Sequence, residues 1–164
     1  MIGINWYEEV NNFCLLVSLE YNVPVYKVAG ILSALSPKNR FNRNLDDTIT
    51  LITHGLDGKY GTFNNNRDKA LRILNAKNIR EVYNEFKGLK TRAFFLNIYK
   101  VYDYNVTVDV WMIRLYKDKI KTKSLTNKSY RMIESMIQDK ASKLNIYPNQ
   151  MQAVLWSEIR GSEY

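Results

Sequence analysis

Two residues in the second half of the chain place a basic amine and a carboxylate at a spacing that could serve one reaction. Lys90 follows Gly88-Leu89, and Asp109 ends the apolar run Val106-Thr107-Val108 nineteen positions later. The segment between them has room for one helix and a sharp return, which would bring both groups to one cleft. In a basic protein, such a pair suggests chemistry on a nucleic acid.

The chemistry of this pair follows from its two residue types. A lysine at the start of a helix lies beside the positive end of the helix dipole, which favours the neutral, nucleophilic amine. Such an amine could attack a sugar C1′ atom and form a Schiff base, while the carboxylate of Asp109 could stabilise positive charge on the sugar or accept a proton. The pattern also allows a structural interpretation, in which Asp109 caps a helix and Lys90 lies on the surface.

Composition and charge narrow the class of protein. The chain has 164 residues, a net charge of +8 and a pI near 9.5. We therefore expect one domain over residues 1–164 and a polyanionic partner, most often nucleic acid. With one cysteine and one histidine, the chain cannot build a disulfide framework, a cysteine-built iron–sulfur site or a histidine-rich metal site, and we expect no metal and no cofactor.

The same composition bears on location and assembly. There is no apolar run of membrane-spanning length and no signal-peptide pattern at the start. We expect no membrane partner, a monomer, and a cytoplasmic location. The abundance of Asn, Lys, Ile and Tyr is typical of an AT-rich genome, which suggests a bacterial cell or a phage-infected host.

Apolar spacing along the chain predicts an all-α fold of about eight or nine short helices in a single compact domain. Strand signals are weak, and the best candidate is Val106-Thr107-Val108. A basic loop is predicted from Lys117 to Lys128. The predicted helices cover 5–21 and 24–35, a third helix capped by Asn44, then 66–75, 79–86, one from Lys90 to about 102, one from Asp109, then 127–145 and 148–160.

The central block resembles the helix-hairpin-helix DNA glycosylase superfamily, in particular its members related to endonuclease III and to 8-oxoguanine glycosylases. Those members carry a glycine-containing hairpin, a lysine that opens a helix, and a hydrophobic run that ends in the catalytic aspartate nearly twenty residues later. Gly88-Leu89-Lys90-Thr91 and the run from Val106 to Arg114 follow this order. Weaker similarity in 28–37 and 152–161 extends the resemblance over about residues 23–161, and it implies a helix-hairpin-helix-like element near 79–102 in a short, phage-type member.

The resemblance implies base excision from double-stranded DNA. A modified base would leave the duplex, Asp109 would stabilise the oxocarbenium-like sugar, and Lys90 would displace the base. The resulting Schiff base would permit strand cleavage by β-elimination, which is an abasic-site lyase activity. Gly88 would approach a phosphate through its backbone N–H, and Arg114 matches the arginine that follows the aspartate in the family. The chain departs from the family in keeping one hairpin glycine and in carrying Trp111 where many members have histidine.

Further side chains are candidates for contact with DNA. The segment after the second helix combines cations and amides that could contact phosphates, although a solvated loop is the plainer interpretation. Trp111, Trp156 and Gln152 could form a base pocket. Tryptophans in small helical domains are more often core residues, and Gln152 could equally be a surface residue. The predicted DNA-binding residues are Ser36, Lys38, Asn39, Arg40, Asn44, Lys87, Gly88, Thr91, Arg92 and Arg114.

Two other functions fit the same residues. The chain could be a phage enzyme of the same fold that hypermodifies DNA bases, since the Lys90 and Asp109 pair would serve either role. It could also be a non-catalytic DNA-binding or anti-defence module in which both residues are structural.

Overall fold

A computed structural model describes residues 1, 3–121 and 125–161 of the chain. Within these ranges the structure contains helices and no strand, which confirms the predicted all-α fold. The described residues form nine α-helices and one short 3-10 turn, Gly55–Asp57. The helices are α1 (Trp6–Tyr21), α2 (Val25–Leu35), α3 (Phe41–His54), α4 (Asn64–Leu74), α5 (Ile79–Asn84), α6 (Leu89–Lys100), α7 (Val110–Ile120), α8 (Asn127–Leu144) and α9 (Pro148–Arg160).

The predicted helix boundaries are confirmed where a proline or a cap fixes them. Pro24 immediately precedes α2, and Pro148 is the first residue of α9. Proline is tolerated at these positions because it has no backbone N–H and the first turn of a helix needs none. Asp109 is the N-cap of α7, and Thr126 caps α8 through a reciprocal pair of hydrogen bonds with Ser129. These caps satisfy backbone N–H groups that have no partner within the helix.

The predicted start of the third helix is wrong. α3 begins at Phe41, so Asn44 lies inside the helix and does not cap it. Its side chain is buried, and its Nδ2 donates to the backbone oxygen of Leu32 at 2.9 Å. Asn44 therefore joins α3 to the end of α2 within the core.

The predicted basic loop begins later than expected. α7 continues through Ile120, and Lys121 ends it in a left-handed conformation. Thus Lys117 and Lys119 belong to the last turn of a helix, where cations interact favourably with the dipole. Residues 122–124 of the predicted loop lie outside the described residues.

The helices group into two compact units. The first unit contains the start of α1 together with α6–α9, and the second contains the rest of α1 together with α2–α5. The helix-hairpin-helix element near 79–102 stays a prediction, as does the expectation of one domain over residues 1–164.

α2 is the central helix of the second unit. It packs against α3, α4 and α5, and every residue from Val28 to Leu35 is buried. A helix that is apolar on all sides has to be surrounded by other elements. Gly30 permits the close approach, since a Cβ atom there would meet Val82 Cγ1 at 2.7 Å and Ile73 Cγ2 at 3.0 Å.

The first unit has its own core, built from α7, α8 and α9. Val106 and Val108, which lie in the segment that precedes α7, are fully buried in this core, and Leu89 of α6 packs against it. This arrangement ties the chain that precedes Asp109 to the most buried part of the unit.

We predict that Gly30→Ala destabilises the protein by about 1–2 kcal/mol, because overpacking two β-branched core residues costs more than alanine gains in helix propensity. Gly88→Ala is the matched control, since its new Cβ atom would meet only Thr91 Oγ1, at 3.6 Å. Urea unfolding followed by circular dichroism measures both. Equal stability of Gly30→Ala and the wild type would contradict the packing described.

Candidate active site

The chain between α6 and α7 is irregular, and its buried backbone groups need partners other than a helix. Side chains of α8 supply several of them. The Tyr130 hydroxyl donates to the backbone oxygen of Val106 at 2.6 Å and accepts from the backbone N–H of Val108 at 3.3 Å. Glu134 Oε2 accepts from the N–H of Val106 at 3.3 Å. Burial raises the pKa of Tyr130, so the phenol stays protonated and able to donate.

Asp103 is the polar centre of the same segment. Its carboxylate accepts from Asn97 at 3.3 Å and from Asn105 at 3.0 and 3.1 Å. Its backbone N–H donates to Asn149 Oδ1 at 3.2 Å. Asn97 in turn accepts from the Thr107 hydroxyl at 2.8 Å. The segment is therefore fixed by side chains of α6, α8 and α9, because buried polar groups are stable only when they are paired.

Asp109 follows directly from this fixed segment. Its Oδ1 accepts from the backbone N–H groups of Trp111 at 3.0 Å and of Met112 at 3.1 Å. Its Oδ2 accepts from the indole N–H of Trp156, on α9, at 3.2 Å. The carboxylate is thus oriented by three N–H groups while the residue stays half-buried and reachable from solvent.

Aromatic rings surround this carboxylate. The rings of Trp156 and Trp6 lie 5.7 Å apart, and Trp6 stacks on Phe94 of α6 at 6.3 Å. Trp111 and Trp156 are both half-buried and pack against the core of the first unit. The predicted base-pocket residues Trp111 and Trp156 therefore lie beside Asp109 in the structure.

Two arginines cover these rings. The guanidinium of Arg160 lies 4.6 Å from the ring centre of Trp156 and 5.5 Å from that of Trp111. Arg114 lies 4.6 Å from the ring centre of Trp111. Both arginines are exposed. We call Asp109, Trp111, Trp156, Arg114 and Arg160 the Asp109 corner.

Gln152 lies beneath the surface, in contrast to the other predicted base-pocket residues. It is buried, and its Oε1 accepts from the Tyr7 hydroxyl at 2.7 Å. Burial raises the pKa of Tyr7 far above its usual value, and the nearby negative charge of Asp109 adds to this effect. The amide oxygen of Gln152 is therefore engaged by a permanently protonated phenol.

Lys90 is exposed and is the second residue of α6. Phe94 follows it by four positions, so the two side chains share a face of the helix. Phe94 stacks on Trp6, and Trp6 in turn contacts Trp156, whose indole N–H donates to Asp109, so three rings separate the Lys90 face of α6 from that carboxylate. Among the described residues, however, Lys90 and Asp109 do not form an ion pair.

The predicted phosphate contacts around Lys90 lie at the start of the same helix. Gly88 is the N-cap of α6 with an ordinary extended backbone, and its carbonyl accepts from the Thr91 hydroxyl at 3.3 Å. Lys87 and Gly88 are exposed, and Arg92 is half-buried. The backbone of Gly88 does not itself demand glycine, since its φ of −85° suits any residue.

Of the predicted DNA contacts after α2, some side chains are exposed and others are hydrogen-bonded within the protein. Lys38 and Arg40 are exposed. The Ser36 hydroxyl donates to the backbone oxygen of Ser33 at 2.9 Å. Asn44 is buried, so the structure does not place it with the exposed cations.

A buried carboxylate holds this surface of the second unit together. Asp47 accepts from Asn39 Nδ2 at 2.9 Å, from Arg43 Nε at 2.9 Å and from the backbone N–H of Gly61 at 2.8 Å. These bonds connect the segment after α2, α3 itself and the loop before α4. Asn39, a predicted DNA contact, therefore has an internal structural role.

The structure adds residues to this surface that sequence patterns did not identify. Phe63 is 60% exposed, and the ammonium of Lys38 lies 5.6 Å from its ring centre. Arg43 also donates to the backbone oxygen of Lys59 at 3.2 Å. In such a group, the exposed phenylalanine can stack on a base while the neighbouring cations contact a phosphate. The glycine- and asparagine-rich sequence around Phe63 predicts only a loop, so nothing in it indicates this pairing.

The described residues contain no group of three or more His, Cys, Asp or Glu side chains that could hold a metal ion. No single helix in the described ranges is long and apolar enough to cross a membrane; α1 and α2 reach that length and hydropathy only together, and they are bent by 119° at their junction.

The fold and the site define an all-α protein with a capped carboxylate among tryptophans and arginines. A family model described as a family of unknown function, DUF7178, matches residues 1–163, and the chain belongs to this family. No curated protein and no solved structure matches the chain.

We predict that Asp109→Asn and Trp156→Phe each lower the free energy of unfolding and that their effects are not additive. Both substitutions break the same indole-to-carboxylate hydrogen bond, which should give a coupling energy of about 1.5–3 kcal/mol. Asparagine still caps a helix, so the loss from the cap itself is small. A double-mutant cycle from urea unfolding measures the coupling.

Trp111→Phe is the matched control for this cycle. Only the backbone N–H of Trp111 bonds to Asp109, and the substitution leaves that group in place. Its effect should therefore add to that of Asp109→Asn. Additive losses for the Trp156 pair would show that the indole does not hold the carboxylate.

Proposed function

We propose that the protein is a DNA glycosylase that removes a modified base from double-stranded DNA, with Asp109 as the carboxylate at the sugar and Lys90 as the attacking amine. The observation that carries this proposal is the oriented, half-buried carboxylate of Asp109 beside tryptophans and exposed arginines. The net charge of +8 supports a polyanionic substrate.

The position of Asp109 suits a reaction that develops positive charge. Three N–H groups and a rigid preceding segment fix its carboxylate. A prepositioned negative charge stabilises an oxocarbenium-like sugar without reorganisation at the moment of reaction, which is usually the largest contribution to catalysis.

The rest of the corner suits the other parts of a nucleotide. Indole rings stack on bases whatever their sequence, and a base that stacks on Trp111 or Trp156 would replace the guanidinium that lies over the ring. The exposed guanidiniums of Arg114 and Arg160 can form charge-assisted hydrogen bonds with phosphates. An extruded nucleotide would thus meet an aromatic surface for its base, a carboxylate for its sugar and cations for its phosphates.

The reaction proposed for Lys90 balances as follows. The neutral amine attacks C1′, and the C1′–N bond to the base breaks with its electron pair going to the base nitrogen. The base gains a proton and the lysine nitrogen loses one. The nitrogen lone pair then forms a C=N bond to C1′ as the C1′–O4′ bond breaks with its electron pair going to O4′, and O4′ gains the proton that the nitrogen loses in this step. The resulting imine between Lys90 and C1′ is reduced by borohydride to a stable secondary amine.

We predict that borohydride traps the wild-type protein on duplexes from a panel of abasic and modified-base substrates and that Lys90→Ala abolishes trapping. Asp109→Asn should lower the rate of base release by about 100-fold or more. Denaturing gel electrophoresis detects the trapped complex. Lys119→Ala is the control, because it removes another exposed lysine of the same unit.

The trapping experiment separates two parts of the proposal. Base release that survives Lys90→Ala but not Asp109→Asn would retain the glycosylase and exclude Lys90 as the nucleophile. If the wild type neither traps nor releases any base on the panel, the glycosylase proposal fails.

A non-catalytic DNA-binding module is the second candidate, and one observation favours it. The cap and the indole bond give Asp109 a complete structural role, which would explain its presence without catalysis. In that case Arg114 and Arg160 would serve only to bind phosphates.

We predict that Arg114→Ala and Arg160→Ala each weaken duplex binding and reduce the slope of log K against log salt by about 1 if each contacts a phosphate. Fluorescence anisotropy at several salt concentrations measures the slope. Arg80→Ala, which removes an exposed arginine of α5, is the control. Binding that is independent of all three arginines would exclude the corner as a DNA contact.

A further inference from the structure

Three tyrosines form an exposed aromatic surface on the first unit. Tyr102, Tyr104 and Tyr147 are 49%, 71% and 41% exposed. The rings of Tyr102 and Tyr147 lie 5.2 Å apart, and those of Tyr104 and Tyr147 lie 5.8 Å apart. Neighbouring large aromatic side chains that stay exposed mark an interaction site more often than isolated ones do. We call these three residues the tyrosine surface.

The backbone beneath the tyrosine surface is held in place. Between Tyr102 and Tyr104, the side chain of Asp103 turns inward into the buried network described above. The backbone oxygen of Tyr104 accepts from Gln138 at 2.9 Å, and Tyr147 opens α9, where its N–H donates to Gln150 at 3.0 Å. The rings are therefore presented by fixed backbone, which lowers the entropy cost of binding.

We infer that the tyrosine surface binds unpaired bases of a DNA strand that flanks the nucleotide held at the Asp109 corner. This inference rests on the proposed function. Tyrosine rings stack on bases of any sequence, and they can do so only where the bases are unpaired. Extrusion of a nucleotide breaks its base pair and unstacks it from its neighbours, so unpaired bases are present at such a site.

Charge at the tyrosine surface favours a nucleic acid. The half-exposed ammonium of Lys100 lies 3.9 Å from Asp103 Oδ1, at the base of the segment that carries Tyr102 and Tyr104. The one acidic group of that segment, Asp103, is buried and already accepts hydrogen bonds from two asparagines. Lys100 and Asp103 form an ion pair, and a phosphate approaching the rings would therefore meet no exposed carboxylate of this segment.

The distance between the tyrosine surface and the Asp109 corner is also short enough for a single DNA strand to reach both. Tyr104 and Asp109 are five positions apart in the chain, so their Cα atoms are separated by at most about 17 Å. Stacked nucleotides rise about 3.4 Å each, so about five nucleotides at most would span this distance.

The test measures anisotropy of a fluorescein-labelled oligothymidine of about 12 nucleotides, and of a duplex of equal length, with the full-length protein. We expect Tyr102→Ser with Tyr104→Ser to weaken single-strand binding about tenfold or more, because stacking contributes about 1–3 kcal/mol per base. Tyr102→Phe with Tyr104→Phe should retain binding, since the ring faces remain. Tyr26→Ser is the control for loss of a tyrosine elsewhere.

The outcomes distinguish this inference from the proposed function. Unchanged single-strand affinity in the double serine variant, in a protein that still traps on damaged duplex, would overturn the tyrosine surface and leave the glycosylase standing. Tyrosine-dependent single-strand binding without trapping would support the tyrosine surface and overturn the glycosylase. A dimeric wild type that becomes monomeric in the double serine variant, with DNA affinity unchanged, would identify the surface as a contact between copies and overturn the inference.

Discussion

The first unit depends on pairing the backbone of an irregular, partly buried segment, residues 101–108. A helix would satisfy these N–H and C=O groups internally and a strand would do so through a neighbouring strand, but here Tyr130, Glu134 and Asn149 do so through their side chains. Each unpaired buried group would cost about 1–3 kcal/mol. The segment therefore has one stable path, and that path leads directly to Asp109.

This constraint explains how a segment without regular structure can orient a carboxylate. Asp109 receives its position from the segment before it, from the first turn of α7 and from Trp156 of α9. Its orientation is thus specified from three directions. A carboxylate held by such a segment is as rigid as the core that supports it, and loss of one supporting side chain would alter both the stability of the unit and the orientation of Asp109.

Local patterns in the sequence predicted the parts of the structure that local forces determine. An apolar run that ends in aspartate correctly predicted the N-cap of α7, and prolines correctly predicted the starts of α2 and α9. Asn44 was assigned to a cap because its type suits one, but its side chain is buried and donates to the backbone oxygen of Leu32. Arg160 was missed as part of the site because its contact with two tryptophans depends on how α7 and α9 pack.

On the surface of the second unit around Asp47, the residues that hold the backbone in place differ from two of those that carry exposed charge. The Asp47 carboxylate fixes Asn39, Arg43 and Gly61, while the exposed Lys38 and Arg40 take no part in these three hydrogen bonds. Substitution of these cations would therefore change the charge of the surface while the three hydrogen bonds to Asp47 remain, whereas substitution of the aspartate would remove all three at once.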